Sequence, residues 1–327
     1  MYLNFYGLRE LPFSTTPDPK FLYLTSRHRE ALAQLTYGVT EDKGCTVLTG
    51  DIGTGKTTLL RALLRKLDHT VAVAFVSDST LPFEGLLECI LEEFGITAPD
   101  ASHVRRLMIF KNFLSERHRA GLTTVLILDE AQNLSPATLE QVRLLSNCEL
   151  PGAKLLQILL VGQPELAAKL ALPELRQLRQ RIALRFALGP LSYEDSRIYI
   201  RSRLRIAGGR DWGTFSDRAI DTIVRRSGGI PRVINLLCDH CLIIGYADQK
   251  RRIDPGIVRE AWRQLHPERS GFHVLAKAAS FGSTLRRWAR GTRTEAATKA
   301  GPRTLVVPAE GGSPGDVARP TRELLER

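Results

Sequence analysis

Residues 50 to 58 read GDIGTGKTT, a glycine-rich stretch that ends in a lysine and two threonines. The spacing from Gly50 to Thr57 matches G-x-x-x-x-G-K-[ST] in full, a loop whose backbone N–H groups close around phosphate at a helix N-terminus. We expect Lys56 to supply a mobile positive charge and the Thr57 hydroxyl to contact Mg²⁺. The predicted phosphate-binding residues are Gly50, Asp51, Ile52, Gly53, Thr54, Gly55, Lys56, Thr57 and Thr58.

A second chemical signature, TTVLILDEAQNL, carries an apolar strand directly into two acids, Asp129 and Glu130. Asp129 is predicted to hold the Mg²⁺ shell, and Glu130 to polarise an attacking water as general base. Taken alone, the pair could be solvated acids at a strand end. Downstream of a complete phosphate loop, the pair favours hydrolysis of a nucleoside triphosphate, and we predict an ATPase with ATP and Mg²⁺ as its ligands.

Apolar runs that mark buried strands alternate with helical spacing through the first 190 residues. The predicted strands are 45 to 49, 71 to 76, 123 to 128, 155 to 161 and 182 to 188. The predicted helices are 26 to 37, 56 to 67, 83 to 94, 103 to 119 and 136 to 148, with further helices near 164 to 181. This alternation predicts an α/β fold with a parallel sheet and helices on both faces, and the complete phosphate loop within it indicates the P-loop NTPase class.

Only helical patterns follow Gly189 and Pro190, at 193 to 206, 216 to 226, 231 to 246 and 255 to 265. We therefore expect three regions: an α/β nucleotide-binding domain over 1–190, a small all-helical lid over 191–266, and a basic, largely disordered tail over 267–327. Residues 1 to 24, rich in proline and aromatics, would form an N-terminal collar on the first domain. For the tail segment 272–291, contact with an anionic membrane or with a partner helix remains an alternative to disorder.

Composition narrows the class of partner and compartment. Lysine and arginine outnumber the acids 46 to 35, so the formal charge of +11 favours an anionic partner. The five cysteines are odd in number and lie in segments that read as core, which disfavours a disulfide framework. Because we find neither a signal peptide nor a membrane-spanning run, we predict a cytoplasmic protein, with peripheral attachment at the inner membrane as an alternative.

The two signatures, with VGQPEL at 161–166, LRQRI at 178–182 and GGIPRVINLL at 228–237, together resemble the AAA+ ATPases. The opening residues 1 to 32 resemble, more narrowly, the ExeA family, also called general secretion pathway protein A. The resemblance covers residues 1 to 266. It implies ATP hydrolysis that powers or regulates assembly of a cell-envelope secretion, pilus or exopolysaccharide export system, with components of that system as partners. The alternative is a DNA-associated AAA+ regulator of the transposition-ATPase type, which the basic excess permits.

The same resemblance implies roles for residues outside the two signatures. Gln163 would take the sensor 1 role and Arg232 the sensor 2 role; the alternatives are a capping turn with Pro164 and a surface arginine. An arginine finger acting in trans requires a homo-oligomer; Arg181 is favoured, with Arg179 and Arg176 left open. In the collar, the residues that could pack against adenine, or simply belong to the core, are Phe13, Pro17, Tyr23 and His28.

Overall fold

The computed structural model describes residues 2–266 except 15, 17–18, 69, 78–79, 99–100, 151–152 and 209–212. The described residues up to Leu265 form one compact unit. The predicted tail of residues 267–327, including the segment considered for membrane contact, lies outside the described residues, as does Pro17.

A five-stranded parallel sheet forms the centre of this unit, in the order β2-β3-β6-β1-β7. A short antiparallel hairpin of two further strands, β4 and β5, precedes β6. Seven strands lie within the described residues: β1 (Cys45–Gly50), β2 (Ala72–Val76), β3 (Thr124–Leu128), β4 (Glu149–Leu150), β5 (Ala153–Lys154), β6 (Gln157–Gly162) and β7 (Ile182–Leu188). The α/β fold with a parallel sheet, predicted from five alternating strands, is confirmed.

Twelve α-helices lie within the described part of the chain. They are α1 (Tyr2–Tyr6), α2 (Ser26–Thr40), α3 (Lys56–Lys66), α4 (Phe83–Glu93), α5 (His103–Arg119), α6 (Pro136–Leu145), α7 (Pro164–Leu170), α8 (Arg176–Arg181), α9 (Tyr193–Ile206), α10 (Asp217–Ser227), α11 (Pro231–Ala247) and α12 (Pro255–Leu265). Several begin at a serine or threonine whose side chain accepts a backbone N–H of the first turn, a favourable N-cap. None of these helices combines the length and hydropathy needed to cross a membrane.

The sheet is covered on both faces because alternate residues of its central strands point in opposite directions. Val125 and Ile127 of β3 belong to a hydrophobic cluster with α2 and α3. Leu126 and Leu128 of the same strand belong to a second cluster, with α4, α5 and α6. Such two-sided burial explains why these strands read as continuous apolar runs rather than alternating ones.

The N-terminal collar contributes to a third hydrophobic cluster, which it shares with the lid helices α9 to α12. Phe13 is 1% exposed and meets Phe215 edge to face, with ring centroids 6.1 Å apart. Tyr6 donates its hydroxyl to the Lys250 carbonyl at 3.0 Å, and the Arg9 amide donates to the Ala207 carbonyl at 2.7 Å. The collar, whose first residues form the unpredicted helix α1, therefore packs as part of the lid layer.

Candidate nucleotide-binding site

The glycine loop lies between β1 and α3 and makes close backbone contacts that exclude larger residues. Gly53 and Gly55 have φ of +82° and +103°, in the left-handed region that glycine tolerates. A Cβ on Gly53 would lie 2.6 Å from the Arg232 Cβ, and one on Gly50 would lie 2.5 Å from the Leu188 carbonyl. Helix α3 starts after Gly55 with no side-chain cap, which leaves its first N–H groups available to an anion.

Lys56, at the first position of α3, is buried and folded back into the loop. Its Nζ donates to the Gly50 carbonyl at 2.7 Å and to the Asp51 carbonyl at 3.1 Å. Thr54, fully buried, donates its hydroxyl to the same Asp51 carbonyl at 2.8 Å. The loop thus holds one ammonium charge among its own carbonyls, which suits it to receive phosphate.

The two acids after β3 have opposite electrostatic environments. Asp129 is buried, and this burial raises the pKa of its carboxyl, although the Glu130 N–H donates to its Oδ1 at 2.9 Å. Glu130 has φ +50°, and its Oε2 accepts a hydrogen bond from the Gln132 amide at 2.6 Å and from the Gln163 amide at 3.2 Å. The bond from Gln132 is the main cause that lowers the pKa of Glu130; burial opposes it, and Gln163 and the charge of Lys56 add to it.

Gln132 is a residue of this site that the sequence pattern did not single out. It lies in the short 3₁₀ turn Ala131–Asn133. Besides donating to Glu130, its Oε1 accepts the Gln163 backbone N–H at 3.0 Å. It thereby links the end of β3 to the end of β6. The sequence signal that could have indicated this residue is its place in DEAQ, two positions after Glu130.

A cavity of about 400 Å³ opens between the glycine loop, the collar and the lid helices. Residues 53 to 59 of the loop and helix start line it, together with Glu130 and Arg232. Tyr23 of the collar and His28 of α2 also line it, whereas Phe13 does not, because it is buried in the lid cluster. Burial lowers the pKa of His28, whose Nε2 lies 3.4 Å from the Thr54 carbonyl.

Comparison with known proteins agrees with this geometry. The family described as AAA domain matches residues 39–170. General secretion pathway protein A of Aeromonas hydrophila is 44% identical over 257 residues, which cover 78% of this chain and 47% of that protein. The chain belongs to the ExeA-like AAA+ ATPases. It spans about half the length of that curated relative.

Solved structures support the fold of this AAA+ chain. The Cdc6 protein of Pyrobaculum aerophilum has a TM-score of 0.60 and 20% identity, covering 76% of this chain and 71% of its own. The ORC2 protein of Aeropyrum pernix in its ADP form has a TM-score of 0.58 and 18% identity, covering 90% and 85%. At these identities the likeness concerns the fold alone.

The residues given sensor and finger roles in this AAA+ chain fall at different distances from the cavity. Arg232 lines the cavity, and its backbone N–H donates to the Gly53 carbonyl at 3.3 Å. Gln163 lies behind the cavity wall, where its side-chain amide donates a hydrogen bond to Glu130. The arginines of α8 do not line the cavity in the described chain; Arg181 donates to the Ser146 carbonyl and hydroxyl, both at 3.2 Å, and to Glu149 at 3.1 Å. Arg179 donates to the Ala171 carbonyl at 3.2 Å.

Three lid residues that the sequence analysis missed also line the cavity: Tyr199, Arg203 and Asn235. All three are buried, and Tyr199 is hydrogen-bonded both to Arg203 and to Asn235. Their helical spacing is that of ordinary lid packing, so nothing in the sequence distinguishes them from core residues.

The geometry of Gly53 leads to a test by substitution. Gly53→Ala should destabilise the fold by about 1–3 kcal/mol, because alanine is strained at positive φ and its methyl would collide with Arg232. The matched control is Gly85→Ala in α4, where an added Cβ would meet nothing closer than 3.6 Å. Because alanine favours helix, the control should stabilise by about 0.5–1 kcal/mol. Thermal unfolding measures both; equal effects would contradict the close approach of loop and lid.

Proposed function

We propose that this protein hydrolyses ATP in the presence of Mg²⁺ and that the resulting movement of the lid assists assembly or regulation of a cell-envelope export system. The observation that carries the hydrolytic part is the pairing of a phosphate-type loop with Glu130, a carboxylate kept charged by two amide donors at the edge of the same cavity. A passive nucleotide-binding protein would have no need for such a base.

The phosphates of ATP are assigned to residues Gly50 to Thr58. The glycine cradle, which any Cβ at Gly50 or Gly53 would fill, and the ammonium of Lys56 support this assignment. For Mg²⁺, the residues that fit are Thr57, whose side chain is exposed beside the cavity, and the buried Asp129. When bound, the ion would neutralise negative charge on the phosphate oxygens. Hard oxygen ligands of this kind suit that cation.

Glu130 is assigned as the general base that takes a proton from the attacking water. Its low pKa keeps the carboxylate ready to accept that proton at neutral pH, while Gln132 and Gln163 fix its orientation. Gln163, in the sensor 1 role, would then respond to the γ-phosphate through its bond to Glu130. The side chain of Gln163 makes no capping hydrogen bond to α7, which favours this role over that of a helix cap.

Arg232 is assigned to the sensor 2 role, since it lines the cavity from the first turn of α11 and contacts the loop through its backbone. Arg181 is assigned as the finger that a neighbouring copy would supply, with Arg179 and Arg176 as its alternatives. A finger of this kind completes the site only in a homo-oligomer, and it is consistent with the absence of α8 arginines from the cavity lining in the described chain.

The export role is proposed from the name of the similar protein, general secretion pathway protein A. From this likeness we infer that the present protein assists a secretion, pilus or exopolysaccharide export system. The basic excess of the chain suits an anionic partner of either kind, a membrane surface or DNA.

Replacing the base tests hydrolysis directly. Glu130→Gln should retain ATP binding and reduce turnover by about a hundredfold or more, because an amide cannot accept the proton. Glu116→Gln, an exposed change of the same kind on α5, is the matched control and should keep wild-type turnover. Phosphate release at high protein concentration measures both; full turnover in Glu130→Gln would overturn the base assignment.

The hydrogen bond from Gln132 generates a pH prediction. This bond lowers the pKa of Glu130, so Gln132→Ala should raise that pKa and move the acid limb of the kcat profile to higher pH. Activity would then be lost earlier as the pH falls, while the rate well above the limb changes less. Gln264→Ala, an exposed glutamine of α12, serves as control. An unshifted acid limb would show that Gln132 does not tune the base.

Added duplex DNA separates the export proposal from the DNA-associated alternative. We expect kcat to stay within about twofold of its value without DNA, across low and high salt. A strong stimulation that disappears as salt rises would instead favour the DNA-associated regulator, because phosphate contacts release counterions.

A further inference from the structure

The three missed lid residues, which we call the lid trio, lie on two neighbouring helices. Tyr199 and Arg203 are one turn apart on α9, and Asn235 lies on α11. Asn235 is three residues beyond Arg232, about 4.5 Å along the helix axis from the residue whose backbone contacts the glycine loop. The trio therefore lines the cavity beyond its phosphate-binding part, beside Phe21 and Leu191.

Arg203 holds the trio in one arrangement. Its Nε donates to the Pro12 carbonyl at 2.5 Å and its Nη2 to the Ser14 carbonyl at 3.4 Å. Its guanidinium lies over the Phe21 ring, 4.8 Å from the centroid. Within the described ranges no carboxylate lies at ion-pair distance from it, so these collar groups and Tyr199 are its partners.

The direction of each hydrogen bond in the trio follows from what each group can donate. Arg203 Nη1 lies 2.7 Å from the Tyr199 hydroxyl, and a guanidinium can only donate, so the tyrosine oxygen accepts. The single tyrosine proton is then given to Asn235 at 2.9 Å. Because the receiving atom must be an acceptor, the Asn235 carbonyl faces Tyr199, and this network fixes which way the amide is turned.

The remaining atom, Asn235 Nδ2, can only donate. In the described parts of the chain it has no hydrogen-bond partner, and Asn235 lines the cavity. A polar donor in a largely buried wall is favourable only when it meets an acceptor. The cavity therefore offers a fixed donor beside aromatic and aliphatic side chains, the surroundings that suit the edge and face of a nucleobase.

We propose that Asn235 selects the nucleobase, donating from Nδ2 to the N1 position of the ring and so favouring adenine over guanine. Adenine presents N1 as an acceptor, whereas guanine carries a proton on N1 and would place donor against donor. Tyr199 and Arg203 act as positioning residues that keep the amide from rotating. This inference rests on the proposed binding of a nucleoside triphosphate in the same cavity.

Equilibrium binding of ATP and GTP to the full chain, in the Glu130→Gln background to prevent turnover, tests the inference. The unmodified Asn235 protein should bind ATP about tenfold or more tightly than GTP. Asn235→Ala should lose about tenfold in ATP affinity and bring the ratio close to one. Tyr199→Phe should also reduce the ratio, since the amide is then free to turn. Asn112→Ala, an exposed asparagine of α5, is the matched control and should leave the ratio unchanged.

A nucleotide analogue provides a measurement that needs no change in the lid. ATP with carbon in place of N1 should bind the Asn235 protein about as weakly as ATP binds Asn235→Ala, and should lose nothing further in that variant. Thermal unfolding without nucleotide checks that each variant is folded. If a variant is not folded, binding of the analogue to the Asn235 protein alone tests the base-selecting role.

The outcomes separate the inference from the function on which it rests. An ATP to GTP ratio that survives Asn235→Ala, or an analogue that binds as tightly as ATP, overturns the base-selecting role while ATP binding stands. If the chain with Asn235 intact binds no nucleoside triphosphate at all, the proposed function itself fails.

Discussion

The contact between the glycine loop and the first turn of α11 is the constraint on which the site depends. The Arg232 backbone donates to Gly53, and the space between them admits no Cβ on the glycine. Arg232 lines the same cavity as the loop, so a phosphate held by the loop would lie close to the first turn of α11. Any change in the conformation of the loop would have to be accommodated at this contact, because close-packed interfaces deform little before they rearrange.

At the turn that follows β3, the adjacent carboxylates of Asp129 and Glu130 lie in different environments. Burial raises the pKa of Asp129, whereas amide donors from two strand ends lower that of Glu130. Neighbouring acids whose pKa values are pushed apart are suited to separate tasks, which here are the proposed cation binding and proton acceptance. Gln132 is central to this division, since it contacts both the glutamate and the backbone of Gln163.

The collar connects the cavity to the lid more closely than its position in the chain suggests. Phe13 is enclosed by lid side chains, and Arg203 donates hydrogen bonds to the carbonyls of Pro12 and Ser14. Residues a few positions later, Tyr23 and His28, line the cavity. The N-terminal segment thus packs in the same hydrophobic cluster as the lid helices. It also lines the cavity together with residues of the α/β layer, so it contacts both the lid and the cavity.

The sequence by itself determined the sheet, the glycine loop and the acid pair, because each depends on local signals: apolar runs, positive-φ glycines and a strand that ends in carboxylates. It also determined where many helices start, and at five of them a serine or threonine cap supplies a short-range signal. The roles proposed for Gln163 and Arg232 came from family likeness rather than from spacing. Only the tertiary structure decided that Phe13 packs in the lid, that Gln132 holds Glu130, and that Tyr199, Arg203 and Asn235 meet at the cavity. The contacts of Phe13 with Phe215 and of Tyr199 with Asn235 join residues far apart in the chain. The bond from Gln132 to Glu130 is local, but it depends on side-chain directions that a periodic pattern does not record.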